Sequence, residues 1–235
     1  MLKIFSHWCI FRHGEIVPVR KIPKNYRSLT GYFYSVKNGR GINFESSLER
    51  DFYLTLEFQD DVLSYEEQPI YIEYQQNRRK KSYPPDCLVT YKDESGKRPL
   101  LVEVKFTSEL AGKKKEELEE KFSIIKQYAQ ENGMDFKVIT EKEIRVGVYL
   151  ENLKFLYAYK KAPRNFNQYK MDLLSNINIK GKITVMELLT QISDDKRKKA
   201  EALPSLWHLV FLKVVRTDLH TAKLSNNSIL EVVSG

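Results

Sequence analysis

Cysteine is almost missing from this sequence: Cys9 and Cys87 are the only two among 235 residues. Two thiols build no disulfide framework, and neither sits in a Cys/His cluster with zinc-ligand spacing. The expectation is a chain of a reducing compartment, the cytoplasm. The four histidines, His7, His13, His208 and His220, are scattered and lack the partner pattern of a nucleophilic triad. No apolar run approaches the roughly 18 residues that a membrane span needs. The opening "MLKIFSHWCIFRHGE" interrupts its one apolar stretch with charges and histidines, which argues against a signal peptide. A glycine-rich phosphate loop is lacking too, which argues against ATP binding by this chain. Internal repeats and low-complexity segments are not evident.

What is present is a globular composition with a basic bias. The chain is 42% hydrophobic and 12% aromatic, enough for a packed core. Its length suits one large domain, or a main domain with a small second one. Lys and Arg number 39 against 31 Asp and Glu, a net charge of +8 that favours a polyanionic partner, most simply nucleic acid. The first 42 residues interleave Arg20, Lys21, Lys24, Arg27, Lys37 and Arg40 with Tyr26, Tyr32, Phe33 and Tyr34. Such a stretch can meet phosphates with its cations and stack its rings on bases. It can equally be an arm whose rings pack on the domain behind it.

The spacing predicts a helix over 46–59, with Leu48, Phe52 and Leu56 on one side and Phe58 broadening the face. Ser46 followed by Glu49 matches a capping box at its start. "VLSYEEQPIYIEY" predicts a strand or strand pair broken near Pro69, and "NRRKKSYPP" reads as a basic connection. Residues 112–131 predict a helix with Leu118, Phe122, Ile125 and Ala129 along one side and Gly133 as its terminator. "DFKVIT" reads as a short strand, and 141–159 as mixed helix and loop. The order predicts a mixed α/β (α+β) fold, a mixed sheet with helices packed on it. A linker is expected at 160–170, dividing a domain over 1–159 from a smaller one over 171–235. The smaller one reads as two or three short helices and a final hairpin, with Leu206, Leu209, Val210 and Val214 at helical spacing and Trp207 in its core. A helix-turn-helix or winged-helix module fits that size, as does a plain helical cap.

The stretch "YPPDCLVTYKDESGKRPLLVEVK" (83–105) holds the chemistry. It reads as a hairpin, yet Asp86, Glu103 and Lys105 lie within or beside its apolar strands, where charges need partners. A turn centred near 94 and 95 places Asp86 opposite Glu103, with opposed Cβ atoms about 5 Å apart. Strand alternation puts Glu103 and Lys105 on one face and Val102 and Val104 on the other. Two close carboxylates repel unless one is protonated or a cation lies between them. Mg²⁺ is the natural occupant, polarising a phosphate and acidifying a water, with Lys105 to orient or help deprotonate that water or to neutralise charge on the phosphate. The bland counterpart is a partly exposed Lys–carboxylate pair of little energetic weight.

Pro85-Asp86, sixteen residues, then Glu103-Val104-Lys105 resembles the PD-(D/E)xK nuclease signature. The flanks "RKIPKNYRSLTGYFYSVKNGRGINFESSLERDFYLTLEF" and "YEEQPIYIEY" are similar to the nuclease domain of TnsA, the endonuclease subunit of heteromeric bacterial transposases. The resemblance runs over about residues 15–158. "GKITVMELL" and "TDLHTAKLSNNSIL" are similar to the TnsA C-terminal domain. It implies a restriction-endonuclease-like core, then a small winged-helix-like domain. Carried onto this sequence, it makes Glu49, Asp86 and Glu103 the acidic cluster, Lys105 the catalytic lysine and the Val104 carbonyl a further metal ligand. The best-known members carry glutamine where Glu103 stands, which leaves the number of metals open. The implied cofactor is Mg²⁺, with Mn²⁺ as substitute. The implied activity is hydrolysis at the 5′ ends of a transposon, on double-stranded DNA. A TnsB-like transposase would cut the 3′ ends, and a TnsC-like AAA+ regulator would dock on the C-terminal domain. A restriction or junction-resolving nuclease of the same fold, or a non-catalytic DNA-binding subunit, are the other readings.

Four further points carry two readings each. Glu49 is either the capping-box acid or a helix-borne metal ligand. Gln68 either positions a water or substrate, or is a polar residue bonded to backbone at a strand start. Arg78, Arg79, Lys80 and Lys81 are a solvated run or a clamp on the DNA strand, and Lys113–Lys115 share that ambiguity.

Overall fold

In the computed structural model, residues 30–76, 79–112 and 115–233 are described, with the main chain of a two-residue strand, β1 (Phe5–Ser6). Arg20, Lys21, Lys24, Arg27 and Arg78 therefore lie outside the described residues. The chain divides into two units between Ile144 and Arg145.

The first unit opens on a hairpin of β2 (Gly31–Ser35) and β3 (Arg40–Phe44), followed by α1 (Ser47–Glu57). The start of α1 has the expected local cause: Ser46 Oγ accepts from the Glu49 N–H at 3.1 Å. The reciprocal half of the capping box is displaced by one residue, because the Glu49 carboxylate accepts from Glu45 N–H at 2.9 Å instead. Leu48, Phe52 and Leu56 are buried as the spacing predicts, and Tyr53 joins them. Tyr53 stacks between Phe33 and Tyr65, with centroids 6.2 and 5.7 Å away. Fully burying an apolar side chain of this size contributes about 1.5–3 kcal/mol, so this helix is anchored mainly by packing.

The segment predicted to break near Pro69 becomes β4 (Val62–Glu67) and β5 (Ile72–Gln76). The basic run after it is not a connection. It forms β6 (Arg79–Tyr83), paired antiparallel with β5 from Ile72↔Tyr83 to Gln76↔Arg79. Its charges mask it in the sequence, since a strand exposed along much of its length carries no apolar alternation. β7 (Cys87–Tyr91) and β8 (Leu100–Val104) form the expected hairpin. After β8 come α2 (Thr107–Leu110), α3 (Lys115–Glu131), β9 (Asp135–Ile139) and α4 (Glu141–Ile144). Gly133, just beyond α3, sits at φ +70°, a left-handed conformation that suits glycine after a helix.

The central sheet has the order β4-β7-β8-β9, antiparallel except for the parallel β8–β9 pair, while β1, β5 and β6 form a second sheet. The central sheet is covered on both faces. Val89, Val102 and Val104 pack with Leu48, Phe52 and Leu56 of α1, whereas Leu101 packs with Ile125, Tyr128 and Ala129 of α3.

The second unit begins earlier than the boundary expected after residue 159. α5 (Tyr149–Tyr157) belongs to it, burying Leu150, Leu153 and Leu156 and meeting Trp207 edge-on through Phe155, at 5.1 Å. The expected linker is partly helical, because α6 (Phe166–Lys180) starts within it and buries Tyr169. β10 (Ile183–Thr184), α7 (Val185–Ile192), α8 (Lys196–Phe211), β11 (Val215–Arg216) and β12 (Ile229–Val232) complete the unit. Its small sheet has the order β10-β12-β11, antiparallel throughout. Leu206, Leu209 and Val210 are buried on α8, but the helix ends before Val214. Among the described residues no helix is long and apolar enough to cross a membrane.

Candidate active site

The β7–β8 register is Cys87↔Val102, Leu88↔Leu101 and Val89↔Leu100. Carried one step further, it sets Asp86 against Glu103, as the turn position predicts. Alternation then decides the faces: Val102 and Val104 enter the core beneath α1, and Glu103 shares the α3 side with Leu101.

At the end of this hairpin the charges converge. Asp86 Oδ2 accepts from the Val104 main-chain N–H at 2.7 Å. Lys105 Nζ lies 2.8 Å from Glu103 Oε1 and 3.5 Å from Asp86 Oδ2, and donates to the Val104 carbonyl at 3.1 Å. The carbonyl of Asp86 is held by Tyr53 OH at 3.0 Å and Gln68 N–H at 3.1 Å. Glu103 is 0% exposed, so its charge depends wholly on these neighbours.

Electrostatics ties Glu49 to the same place. Burial pushes its carboxyl upward, opposed by the Glu45 and Ser46 hydrogen bonds, with Lys105 drawing it down. Asp86 is pushed well above the ordinary carboxylate range by burial first, then by Glu103 and Glu49, while Lys105 and the Val104 N–H pull the other way. Burial works against the Lys105 ammonium, yet Asp86 and Glu103 outweigh it and raise its pKa. Lys105 is therefore an ammonium here and acts as a donor. Among the described residues, no three His, Cys, Asp or Glu side chains gather closely enough to hold a metal ion by themselves. The geometry explains this: an ammonium bridges Asp86 and Glu103, and Glu49 is turned to the Glu45 N–H.

Two participants escaped the sequence reading. Tyr83, the last residue of β6, donates its hydroxyl to Glu103 Oε1, and Lys121 of α3 sits 3.3 Å from that oxygen. Burial draws the Lys121 pKa down, with Glu103 opposing and Lys105 reinforcing the shift. Burial, Asp86 and Glu103 all push the Tyr83 phenol upward, so it stays a proton donor. The available signal was Tyr83 at the head of "YPPD"; Lys121 gave none, flanked as it is by ordinary helix residues. Gln68 is buried at φ +41°, and its Oε1 has no hydrogen-bond partner among the described residues.

The basic and aromatic stretch divides. Phe33 packs against the core, while Tyr32 and Tyr34 are exposed. Lys37 Nζ donates to the carbonyls of Gln59 and Val62 at 2.9 and 2.8 Å. Arg40 is bound by Glu66 and, at 2.7 Å, by Glu67. Both cations thus brace the β2–β3 hairpin against β4 and its approach. Arg79 and Lys80 are exposed on β6, and Lys81 pairs with Glu117 at 3.5 Å.

A sheet of mixed direction, flanked by helices and carrying a carboxylate pair with a lysine at the end of its central hairpin, belongs to the restriction-endonuclease-like class. Two family models match in succession: the TnsA-like endonuclease N-terminal model over residues 59–141, and the TnsA endonuclease C-terminal model over 143–219. The chain belongs to the TnsA endonuclease family, and is thereby a transposon-associated endonuclease. Asp86, Glu103 and Lys105 fall within the first match, as do Tyr83 and Lys121; Glu49 precedes it. No curated relative matches the sequence.

Proposed function

We propose that this chain is a metal-dependent DNA endonuclease that hydrolyses phosphodiester bonds at the 5′ ends of a transposon, on double-stranded DNA. The observation that carries the metal reading is Glu103 Oε2, a buried carboxylate oxygen without any hydrogen-bond partner among the described residues. Asp86, held above the usual carboxylate range by burial first and then by Glu103 and Glu49, points the same way: three carboxylates, Glu49, Asp86 and Glu103, face two lysines, Lys105 and Lys121. Oxygen donors in such a deficit suit a hard divalent cation, Mg²⁺, with Mn²⁺ as substitute. Asp86, Glu103 and the Val104 carbonyl would hold it, with Glu49 joining from α1.

When bound, that ion would acidify a water and polarise the phosphate. The protein's own groups then have distinct parts. Asp86 and Glu103 fix the position of the charge deficit, and the Val104 N–H fixes Asp86. Lys105, protonated, donates to the phosphate oxygen on which charge develops. Water adds to phosphorus as a P–O bond breaks, and the leaving oxygen takes up a proton. Gln68, whose amide oxygen has no hydrogen-bond partner among the described residues, would orient a water.

In the second unit, α5 is followed by the order helix, strand, two helices, strand, long loop, strand, and this order supports reading it as a winged-helix-like domain. It is the docking site for a TnsC-like AAA+ regulator, while a TnsB-like transposase cuts the 3′ ends. The test is a reaction with labelled transposon-end DNA and those partners. Asp86→Ala and Lys105→Ala are expected to abolish 5′ cutting and to leave 3′ cutting and assembly intact. Unchanged 5′ cutting would sink the assignment, and robust cutting of unrelated DNA by the chain alone would point to a free-standing nuclease.

A further inference from the structure

The two oxygens of Glu103 are treated unequally. Oε1 receives the Tyr83 hydroxyl, Lys105 Nζ at 2.8 Å and Lys121 Nζ at 3.3 Å, whereas Oε2 is buried with no partner among the described residues. The two extra donors come from outside the hairpin, one from β6 and one from α3, and they also hold each other. Lys121 Nζ lies 3.7 Å from the centroid of the Tyr83 ring, a cation–π contact shielded from solvent, since the Lys121 side chain is only 13% exposed.

One ammonium on Glu103 would satisfy a resting site. Two are in place, and only Lys105 also reaches Asp86 and the Val104 carbonyl. The three donors of the Lys105 ammonium already face Glu103, the Val104 carbonyl and Asp86, so engaging a scissile phosphate draws it away from these acceptors. On its departure a carboxylate with no solvent exposure would lose its nearest counter-charge. Lys121 and Tyr83, anchored on different elements, would remain.

We infer that Lys121 and Tyr83 are positioning residues that grip Glu103 by Oε1, leaving Oε2 for the metal and keeping the carboxylate compensated when Lys105 turns to the substrate. This rests on the metal-site reading above. Partners that orient a metal ligand typically contribute about 10- to 100-fold in metal affinity or activity, which sets the scale of the effect.

The test uses the full chain. Mn²⁺ affinity is measured without DNA by electron paramagnetic resonance, and DNA binding in Ca²⁺. Single-turnover 5′ cutting is followed with the partner subunits. Lys121→Met keeps the aliphatic stem and removes the charge; Tyr83→Phe keeps the ring and removes the donor. Each is expected to weaken Mn²⁺ binding and slow cutting by about 10-fold or more, with DNA affinity unchanged. Lys121→Arg is expected to recover most of both. If either folded variant binds Mn²⁺ and cuts like the parent, or if only melting temperature falls, the inference is overturned. Asp86→Ala is the control. If it too leaves Mn²⁺ binding and cutting untouched, the metal-site reading fails first; if it abolishes both while the two variants do not, only the positioning role is lost.

Discussion

Asp86 Oδ2 and the main-chain N–H of Val104 are hydrogen-bonded at 2.7 Å, across the end of the hairpin where β7 has no further strand residue to offer. The acid proposed for the metal site thus also completes the ladder. Asp86→Asn keeps an acceptor for Val104 and Asp86→Ala does not. The alanine variant is expected to be less stable than the asparagine variant by about 1–3 kcal/mol, the cost of a buried N–H left unpaired. Urea unfolding of both measures it; equal midpoints would show that the bond carries no stability.

The pH dependence follows from the same residue. Asp86 has its pKa raised above the ordinary 3.8 by burial, Glu103 and Glu49, so the folded protein holds this proton more tightly than the unfolded chain does. Its contribution to stability is present below the ordinary value and is lost as pH rises through the folded one. Without metal, Asp86→Asn is expected to gain on the parent between pH 4 and 7, by about 1 kcal/mol or 2–4 °C in melting temperature at neutral pH. Ca²⁺ is expected to stabilise the parent and not the variant. Melting curves at several pH values decide this, and a gap that does not change with pH would count against it.

Glu57 is the hub of the first hairpin. Its carboxylate accepts from Ser35 Oγ at 2.5 Å, Val36 N–H at 2.9 Å and Tyr65 OH at 2.7 Å. Glu57→Ala is expected to cost about 2–3 kcal/mol, because buried donors lose their acceptor together. Hydrogen exchange at the Val36 amide should accelerate; retained protection would show that the turn holds by other means.

In the second unit Asn152 has the corresponding place. Its amide donates to the carbonyls of Leu219 and Ala222 at 2.9 and 2.8 Å and accepts from Leu224 N–H at 3.0 Å. Asn152→Asp keeps the acceptor and loses both donations, so it is expected to destabilise by about 2 kcal/mol, close to the effect of Asn152→Ala. Amide exchange at Leu224 separates them, remaining slow in the aspartate variant and fast in the alanine variant.

Local chemistry by itself determined much of this protein. The two-residue alternation of "LLVEVK" separates Glu103 from Val102 and Val104, and the length of the turn sets Asp86 against Glu103. Ser46 starts α1, the four-residue spacing of Leu48, Phe52 and Leu56 chooses its buried face, and Gly133 lies just past α3. All of these depend on neighbours in the chain, on backbone dihedrals and on a period of two or nearly four. Where distant segments meet was a matter for the tertiary structure alone. Tyr83 and Lys121 reach Glu103 only because β6 and α3 are folded against the α3 side of the sheet. Lys37 and Arg40, which read as cations for phosphate, are committed to carbonyls and to Glu66 and Glu67 by the closing of β2–β3 on β4. The basic run 79–83 became a strand because β5 supplied a partner, and α5 joined the second unit because it packs on α8, with Phe155 against Trp207. A charge carries no mark of which opposite charge it will meet; only the packing that brings them within a few ångströms decides that.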